Sequence, residues 1–166
     1  LAVPASLVVL ESGALPLSVQ TIPAERPPVY EWLSTQPRQV TLELPVPNSV
    51  TGLPLHDAFY MYAQTWHWQP LAKGVSGYHP EAYLDLLKAL AGMPDAQSSL
   101  AMARTGIQRV VLHRELFPRG EFAPLIKALG ASSAYRLLTI SNDHLGEAWV
   151  YAFLPGGTPI DAASRD

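Results

Sequence analysis

The chain has 166 residues, of which 48% are hydrophobic and 15% charged, and its formal net charge is −3. This length favours a single domain with a substantial core, and the composition is typical of a folded protein. The eight arginines and three lysines are scattered, which argues against a nucleic-acid partner. The absence of cysteine excludes disulfides, thiolate nucleophiles and cysteine-ligated zinc.

The N-terminal part is predicted to be a linker followed by a short helix. We predict a membrane-proximal linker over residues 1–26, since residues 13–28 are rich in proline and small side chains. No run in the chain reaches the roughly 18 to 20 apolar residues that span a bilayer. Pro27 and Pro28 suit the first turn of a helix, and Pro37 ends it. Because the first residue is Leu and not Met, we expect a processed product or a piece of a longer protein.

Two segments are predicted to be strands of one sheet. Residues 39–46 (QVTLELPV) alternate between apolar and polar side chains, whereas residues 107–116 (IQRVVLHREL) have an apolar centre that indicates burial on both faces. If these strands are neighbours, Glu43, His113 and Arg114 converge at their carboxyl ends, where ligands bind in parallel sheets. The alternative is that Glu43 pairs with an arginine or faces solvent.

The remaining pattern predicts an α/β fold. Residues 55–68 (LHDAFYMYAQTWHW) fit either a helix or an extended aromatic segment. The other predicted elements are a helix after Pro80 capped by Gly92, a helix from Asp95 to Gly106, a helix over 122–129 closed by Gly130, and two strands at 134–141 and 147–154 joined as a hairpin. We therefore predict a mixed sheet with parallel core strands, helical crossovers and a C-terminal antiparallel hairpin, formed by residues 27–155 and followed by a tail at 156–166.

Residues 60–81 (YMYAQTWHWQPLAKGVSGYHPE) concentrate aromatic and titratable side chains without a familiar reaction motif. The sequence GVSGY is not a nucleophile elbow, because Tyr78 stands where the second glycine is required. The order of residues in a phosphate-binding loop and the dinucleotide fingerprint are also missing. These observations argue against a serine hydrolase and against a nucleotide cofactor.

A metal site is also not predicted, although His56, Asp57, His67 and His79 lie within 24 residues. Their spacing matches none of the common histidine patterns for metal ligands, which place two ligands three or four residues apart on one helix face. We therefore predict neither a metal nor another cofactor.

Several short pieces of the sequence resemble the soluble C-terminal region of large bacterial multi-spanning membrane proteins related to the GT-C glycosyltransferases. These pieces are a P-P-x-Y-x-W-L helix, an E-L-P strand end, a Y-M-Y…H-W-x-P-L-x-x-G-x-S-G segment and an R-x-V-V-x-H strand. The resemblance covers about residues 25 to 115. The polar, aromatic and glycine residues that match the pattern of this soluble region are Glu43, His67, Trp68, Lys73, Gly74, Ser76, Gly77 and His113.

The resemblance implies an accessory domain on the extracytoplasmic face of a bacterial membrane. The parent protein would use a polyprenyl-phosphate sugar, and its catalytic carboxylate is expected in the membrane-embedded part that this chain lacks. The domain's partners would be that membrane-embedded part and a glycan or lipid-linked sugar acceptor. Lys73 and Arg114 would meet a phosphate or acidic sugar, Trp68 would stack on a ring, and His79 lies beside this set of docking candidates.

Three hypotheses follow for the function of the 60–81 segment and Glu43. A docking or acceptor-recognition domain predicts a shallow, largely apolar surface patch. An independent hydrolase-type enzyme predicts a pocket in which Glu43 acts as general base with His67 or His113. A structural cap without a ligand predicts that Glu43 is paired with an arginine and that the tryptophans are buried.

Overall fold

The computed structural model describes residues 25–46, 55–73, 80–143 and 146–156. The helices are α1 (Pro28–Ser34), α2 (Leu55–His67), α3 (Glu81–Leu90), α4 (Ala96–Arg104) and α5 (Phe122–Ala131), and the strands are β1 (Thr41–Leu44), β2 (Arg109–His113), β3 (Tyr135–Asp143) and β4 (Gly146–Phe153). The predicted linker up to residue 24, the segment 74–79 and the tail from residue 157 lie outside the described residues. None of the described helices is long and apolar enough to span a bilayer.

The strands form one mixed sheet in the order β1-β2-β4-β3. Strands β1 and β2 run parallel, with Glu43 opposite Val111, and β4 runs antiparallel to both of its neighbours. The predicted α/β fold with a parallel pair and a terminal hairpin is confirmed. The sequence left the strand order open, and the structure shows that β4 lies between β2 and β3.

Helices cover both faces of the sheet, and the alternation in β1 divides its side chains between two cores. Leu42 and Leu44 point into the larger core, formed with α3, α4 and α5. Thr41 and Glu43 lie on the other face, and both are fully buried. The smaller core, on that second face, contains Val29, Tyr30, Leu33, Ala63, Val111, Ala148 and Val150. The polar side of β1 is therefore as deeply buried as its apolar side.

The helices agree with the predicted pattern except at two of their ends. The aromatic segment that fitted helix or strand is the helix α2. Helix α3 is capped by Ala91 and not by Gly92; a Cβ atom at Gly92 would lie 2.0 Å from Oδ2 of Asp95, so glycine permits the close approach to the residue that caps α4. Helix α5 continues past Gly130 to Ala131.

The side chain of Gln69 ties the end of α2 to the segment between α1 and β1. Its Nε2 donates hydrogen bonds to the backbone oxygens of Leu33 at 2.8 Å and Gln36 at 3.1 Å. Its Oε1 accepts a hydrogen bond from the backbone N–H of Gln39 at 2.8 Å. Since Gln69 is only 2% exposed, its buried amide joins the end of α2 to this backbone at three points.

We expect Gln69→Ala to lower the free energy of unfolding by about 2 to 4 kcal/mol, because the three hydrogen bonds of a buried side chain disappear. Urea denaturation measures this change. The matched control is Gln97→Ala on the exposed side of α4, for which we expect a change within about 0.5 kcal/mol. Equal effects of the two substitutions would contradict a tie through Gln69.

Candidate functional site

The centre of the candidate site is the carboxylate of Glu43, which is 0% exposed. Its Oε2 accepts a hydrogen bond from the hydroxyl of Tyr30 at 2.9 Å and lies 2.9 Å from Nε2 of His113. Tyr30 comes from α1 and His113 from the end of β2, so three elements meet at one oxygen atom. The predicted convergence of Glu43 and His113 is present in the structure.

His67, the last residue of α2, has a defined tautomer at this site. The backbone N–H of Gln69 donates to its Nδ1 at 3.0 Å, so the neutral ring carries its proton on Nε2. Nε2 lies 3.9 Å from Oε1 of Glu43, and within the described ranges neither atom has a hydrogen-bond partner. Burial lowers the pKa of His67 below its ordinary value, although the charge of Glu43 opposes this shift.

Aromatic rings hold the two histidines in place. The ring of Tyr30 stacks on His67 with centroids 5.5 Å apart, and the ring of Tyr60 stacks on His113 with centroids 5.1 Å apart. Burial raises the pKa of Tyr60, and the charges of Glu43 and Asp57 raise it further, so its hydroxyl stays protonated. Each imidazole thus packs against a tyrosine ring beside the carboxylate.

A buried ion pair lies beside Tyr60. The ammonium of Lys73 bonds Oδ1 of Asp57, with 1% and 2% of the respective side chains exposed, and lies 4.3 Å from the centroid of the Tyr60 ring. Burial lowers the pKa of Lys73, and Asp57 opposes this shift through charge and hydrogen bonding. The ammonium is thus committed to Asp57, which argues against the predicted contact between Lys73 and an external phosphate.

The other predicted site residues lie away from Glu43 or outside the described ranges. Arg114 does not join the carboxylate but pairs at the surface with Glu147, and 57% of its side chain is exposed. Trp66 packs against the smaller core, whereas Trp68 is 72% exposed. The predicted residues outside the described ranges are Gly74, Ser76, Gly77 and His79.

Sequence reasoning missed the two tyrosines and Gln69. Tyr30 lies in the P-P-x-Y-x-W-L piece and Tyr60 in the aromatic segment, but an aromatic side chain on a helix indicates a core position and not a hydrogen-bond donor. The only available signal was the apolar surrounding of Glu43, since a carboxylate on a buried strand requires donors from neighbouring elements.

This arrangement restricts what the carboxylate can do chemically. Acid–base catalysis requires a substrate within hydrogen-bond reach, yet Glu43 is fully buried and already accepts bonds at Oε2. The side chain of His113 is 13% exposed and, with Tyr30, lines a shallow depression with room for about one water molecule. Among the described residues, no group of three or more acidic or histidine side chains is placed to hold a metal ion.

The outer side of α2 presents an apolar surface next to the cluster that Glu43 forms with Tyr30, His67 and His113. We call Met61, Tyr62 and Trp68 the aromatic surface; they are 40%, 39% and 72% exposed. Between residues 56 and 68, the exposed positions are His56, Ala58, Met61, Tyr62, Thr65 and Trp68, none of which is Asp, Glu, Lys or Arg.

The backbone fixes the position of Trp68. Its φ angle is +55°, a left-handed conformation that costs a bulky residue about 1 to 3 kcal/mol. The backbone N–H of Trp68 donates to the oxygen of Gln64 at 2.8 Å, and the next residue, Gln69, is held by α1. The indole is therefore exposed on a rigid base.

A scan against models of known protein families found no match, and a search of curated protein sequences also found none.

We expect Tyr30→Phe to lower the free energy of unfolding by about 1.5 to 3 kcal/mol, because the buried carboxylate of Glu43 loses a hydroxyl donor. Chemical denaturation at neutral pH measures the change. Tyr62→Phe removes a hydroxyl from an exposed ring and serves as the control, with an expected change within about 0.5 kcal/mol. The role given to Tyr30 is wrong if both variants are as stable as the original chain.

The lowered pKa of His67 predicts that the protein becomes less stable as the pH falls below about 6.5, the ordinary value for histidine. In that range the unfolded chain binds a proton that the folded chain does not, so stability is fully present above this pH and is lost on acidification. His67→Asn keeps an acceptor for the N–H of Gln69 and removes the titrating group.

This pH effect is measured by comparing the free energy of unfolding against pH in the original chain and in the variants. We expect a shallower loss below about pH 6.5 for His67→Asn and an unchanged loss for His56→Asn, since His56 is exposed. Parallel curves for His67→Asn and the original chain would rule out His67 as the titrating group.

Proposed function

We propose that this chain is a non-catalytic accessory domain of a membrane-bound protein related to the GT-C glycosyltransferases, and that it serves in docking or acceptor recognition. The sequence pieces between about residues 25 and 115 support the relationship. The observation that carries the functional part is the exposed indole of Trp68, whose backbone is fixed at the end of α2.

The conformation of Trp68 supports a contact role. An exposed tryptophan in the left-handed region gains little from the fold itself, since its ring is 72% in solvent and its backbone conformation is unfavourable. Its two neighbours, His67 and Gln69, are both buried and hydrogen-bonded. Because the backbone of Trp68 is already fixed, only the side chain loses conformational entropy when a partner covers it.

The chemistry of the aromatic surface favours an apolar or aromatic-stacking partner. Tryptophan and tyrosine are frequent where one side of a residue contacts an apolar group and the other side contacts water, as at a membrane boundary or on the face of a sugar ring. The two cations that the sequence analysis assigned to a phosphate or acidic sugar are already paired, Lys73 with Asp57 and Arg114 with Glu147. The favoured partner is therefore the membrane-embedded part of the same polypeptide, with a glycan acceptor as the second choice.

An independent enzyme is the second candidate function. The distance of 2.9 Å between Glu43 and His113, next to a depression, favours it. The complete burial of Glu43 weighs against it, because a substrate would need access to the pair. The same burial of Glu43 supports a purely structural cap. That hypothesis, however, predicted buried tryptophans and an arginine partner for Glu43, whereas Trp68 is exposed and the partners of Glu43 are a tyrosine and a histidine.

Site-specific cross-linking tests the docking proposal in the full-length product of the gene that encodes this chain. A photo-reactive amino acid at position 68 should cross-link to membrane-spanning segments of the same polypeptide in intact membranes. The control is the same amino acid in place of Leu100, which is 60% exposed on α4 and lies outside the aromatic surface.

Two results would contradict the proposal. If the gene encodes no membrane-spanning segments, the relationship to the GT-C proteins is wrong. If positions 68 and 100 cross-link equally, the aromatic surface is not the docking surface, even where the relationship holds.

A further inference from the structure

The ring of His67 bridges the residue that carries the exposed indole. Its Nδ1 accepts the backbone N–H of Gln69 at 3.0 Å, so a hydrogen bond between positions 67 and 69 spans Trp68. The φ angle of Trp68 is +55°, which costs a bulky residue about 1 to 3 kcal/mol. The bond across Trp68 therefore helps to hold its backbone in an unfavourable conformation.

Protonation of the His67 ring and this hydrogen bond exclude each other. The neutral ring carries its proton on Nε2, so its only lone pair in the ring plane belongs to Nδ1. A second proton must bind to the same atom that accepts the N–H of Gln69. Once protonated, Nδ1 is a donor that faces another donor, and the hydrogen bond is lost.

The carboxylate of Glu43 offers the protonated ring another partner. Nε2 of His67 lies 3.9 Å from Oε1 of Glu43, which is too far for a hydrogen bond, and neither atom has another partner among the described residues. A positive charge on the ring attracts the carboxylate and favours a shorter distance. Because the two ring nitrogens point away from each other, a shift toward Glu43 moves Nδ1 away from Gln69.

Other titratable and charged groups face this ring from α1 and β2. Tyr30 of α1 stacks on it, and His113 of β2 lies 2.9 Å from the second oxygen of Glu43. Burial lowers the pKa of His67, the charge of Glu43 raises it, and the charge of Arg109 on β2 lowers it. The net shift is downward, so the folded chain protonates His67 only below the ordinary value of about 6.5.

We propose that protonation of His67 is a switch that releases the backbone of Trp68 and thereby changes the aromatic surface. The change stays local, because other bonds continue to hold the next residue. Nε2 of Gln64 donates to the backbone oxygen of Gln69 at 2.9 Å, and the side chain of Gln69 stays bonded to the oxygen of Leu33. The consequence for docking rests on the proposed function, whereas the local release does not.

Nuclear magnetic resonance of the 166-residue chain over a range of pH tests this switch. The carbon-bound ring protons of His67 report its titration, the amide of Gln69 reports the hydrogen bond, and fluorine-labelled tryptophan reports Trp68. We expect the protection of the Gln69 amide against exchange to fall at least about tenfold, as for the loss of one hydrogen bond. The fluorine signal of Trp68 should shift, and both changes should have the same midpoint as the His67 ring.

His67→Asn keeps an acceptor for the N–H of Gln69 but has no titrating ring, so the signals of Gln69 and Trp68 should lose this pH dependence. His56→Asn is the matched control, because His56 is exposed on the same helix and its removal should leave both changes intact. Circular dichroism checks that both variants are folded. The midpoints in the original chain test the switch even where a variant does not fold.

The inference is overturned if the His67 ring titrates while the signals of Gln69 and Trp68 stay constant, or if their changes persist in folded His67→Asn. It is also overturned if the ring stays neutral until the whole chain unfolds. If these signals change as expected but no cross-link forms at position 68 at any pH, the docking function is wrong and the switch stands.

Discussion

The burial of one carboxylate constrains the whole smaller core. Glu43 has no contact with solvent, so its charge must be stabilised by donors from the protein itself. Tyr30 and His113 provide them from α1 and from the neighbouring strand β2. Because the buried carboxylate loses a donor when the Tyr30 hydroxyl is removed, at a cost of about 1.5 to 3 kcal/mol, this hydrogen bond ties α1 to β1.

The effect of the buried Glu43 carboxylate extends from the smaller core to the surface through a series of contacts between neighbouring residues. The ring of His67 stacks on Tyr30, and its Nδ1 receives the N–H of Gln69, which in turn bonds the backbone after α1. The residue between His67 and Gln69 is Trp68, whose neighbours on both sides are fixed. The groups that surround the buried charge of Glu43 thus also fix the backbone that carries the exposed indole of Trp68. One polar cluster therefore contributes both to stability and to the position of this residue at the surface.

Much of the fold could be predicted from local patterns, whereas the site depended on tertiary contacts. The alternation in β1, the apolar stripes of the helices and the cap at Asp95 are local signals, and the structure confirms the elements they predicted. The meeting of Glu43 and His113 followed from the general geometry of parallel strands. The donor role of Tyr30 and the left-handed backbone of Trp68 could not be predicted, because they arise from contacts of α1 with β1 and with Gln69 that no sequence period encodes.

The segment of residues 70–72, which follows Gln69, has a consequence for the edge of the sheet. On the outer side of β1, residues 70–72 bond both the N–H and the backbone oxygen of Thr41, so the beginning of this strand is covered by the chain itself. Backbone groups that are already bonded within the chain are not available to a strand of another chain. A single bridge between Leu71 and Thr41 therefore removes the first position of β1 from the part of this edge that could recruit a further strand.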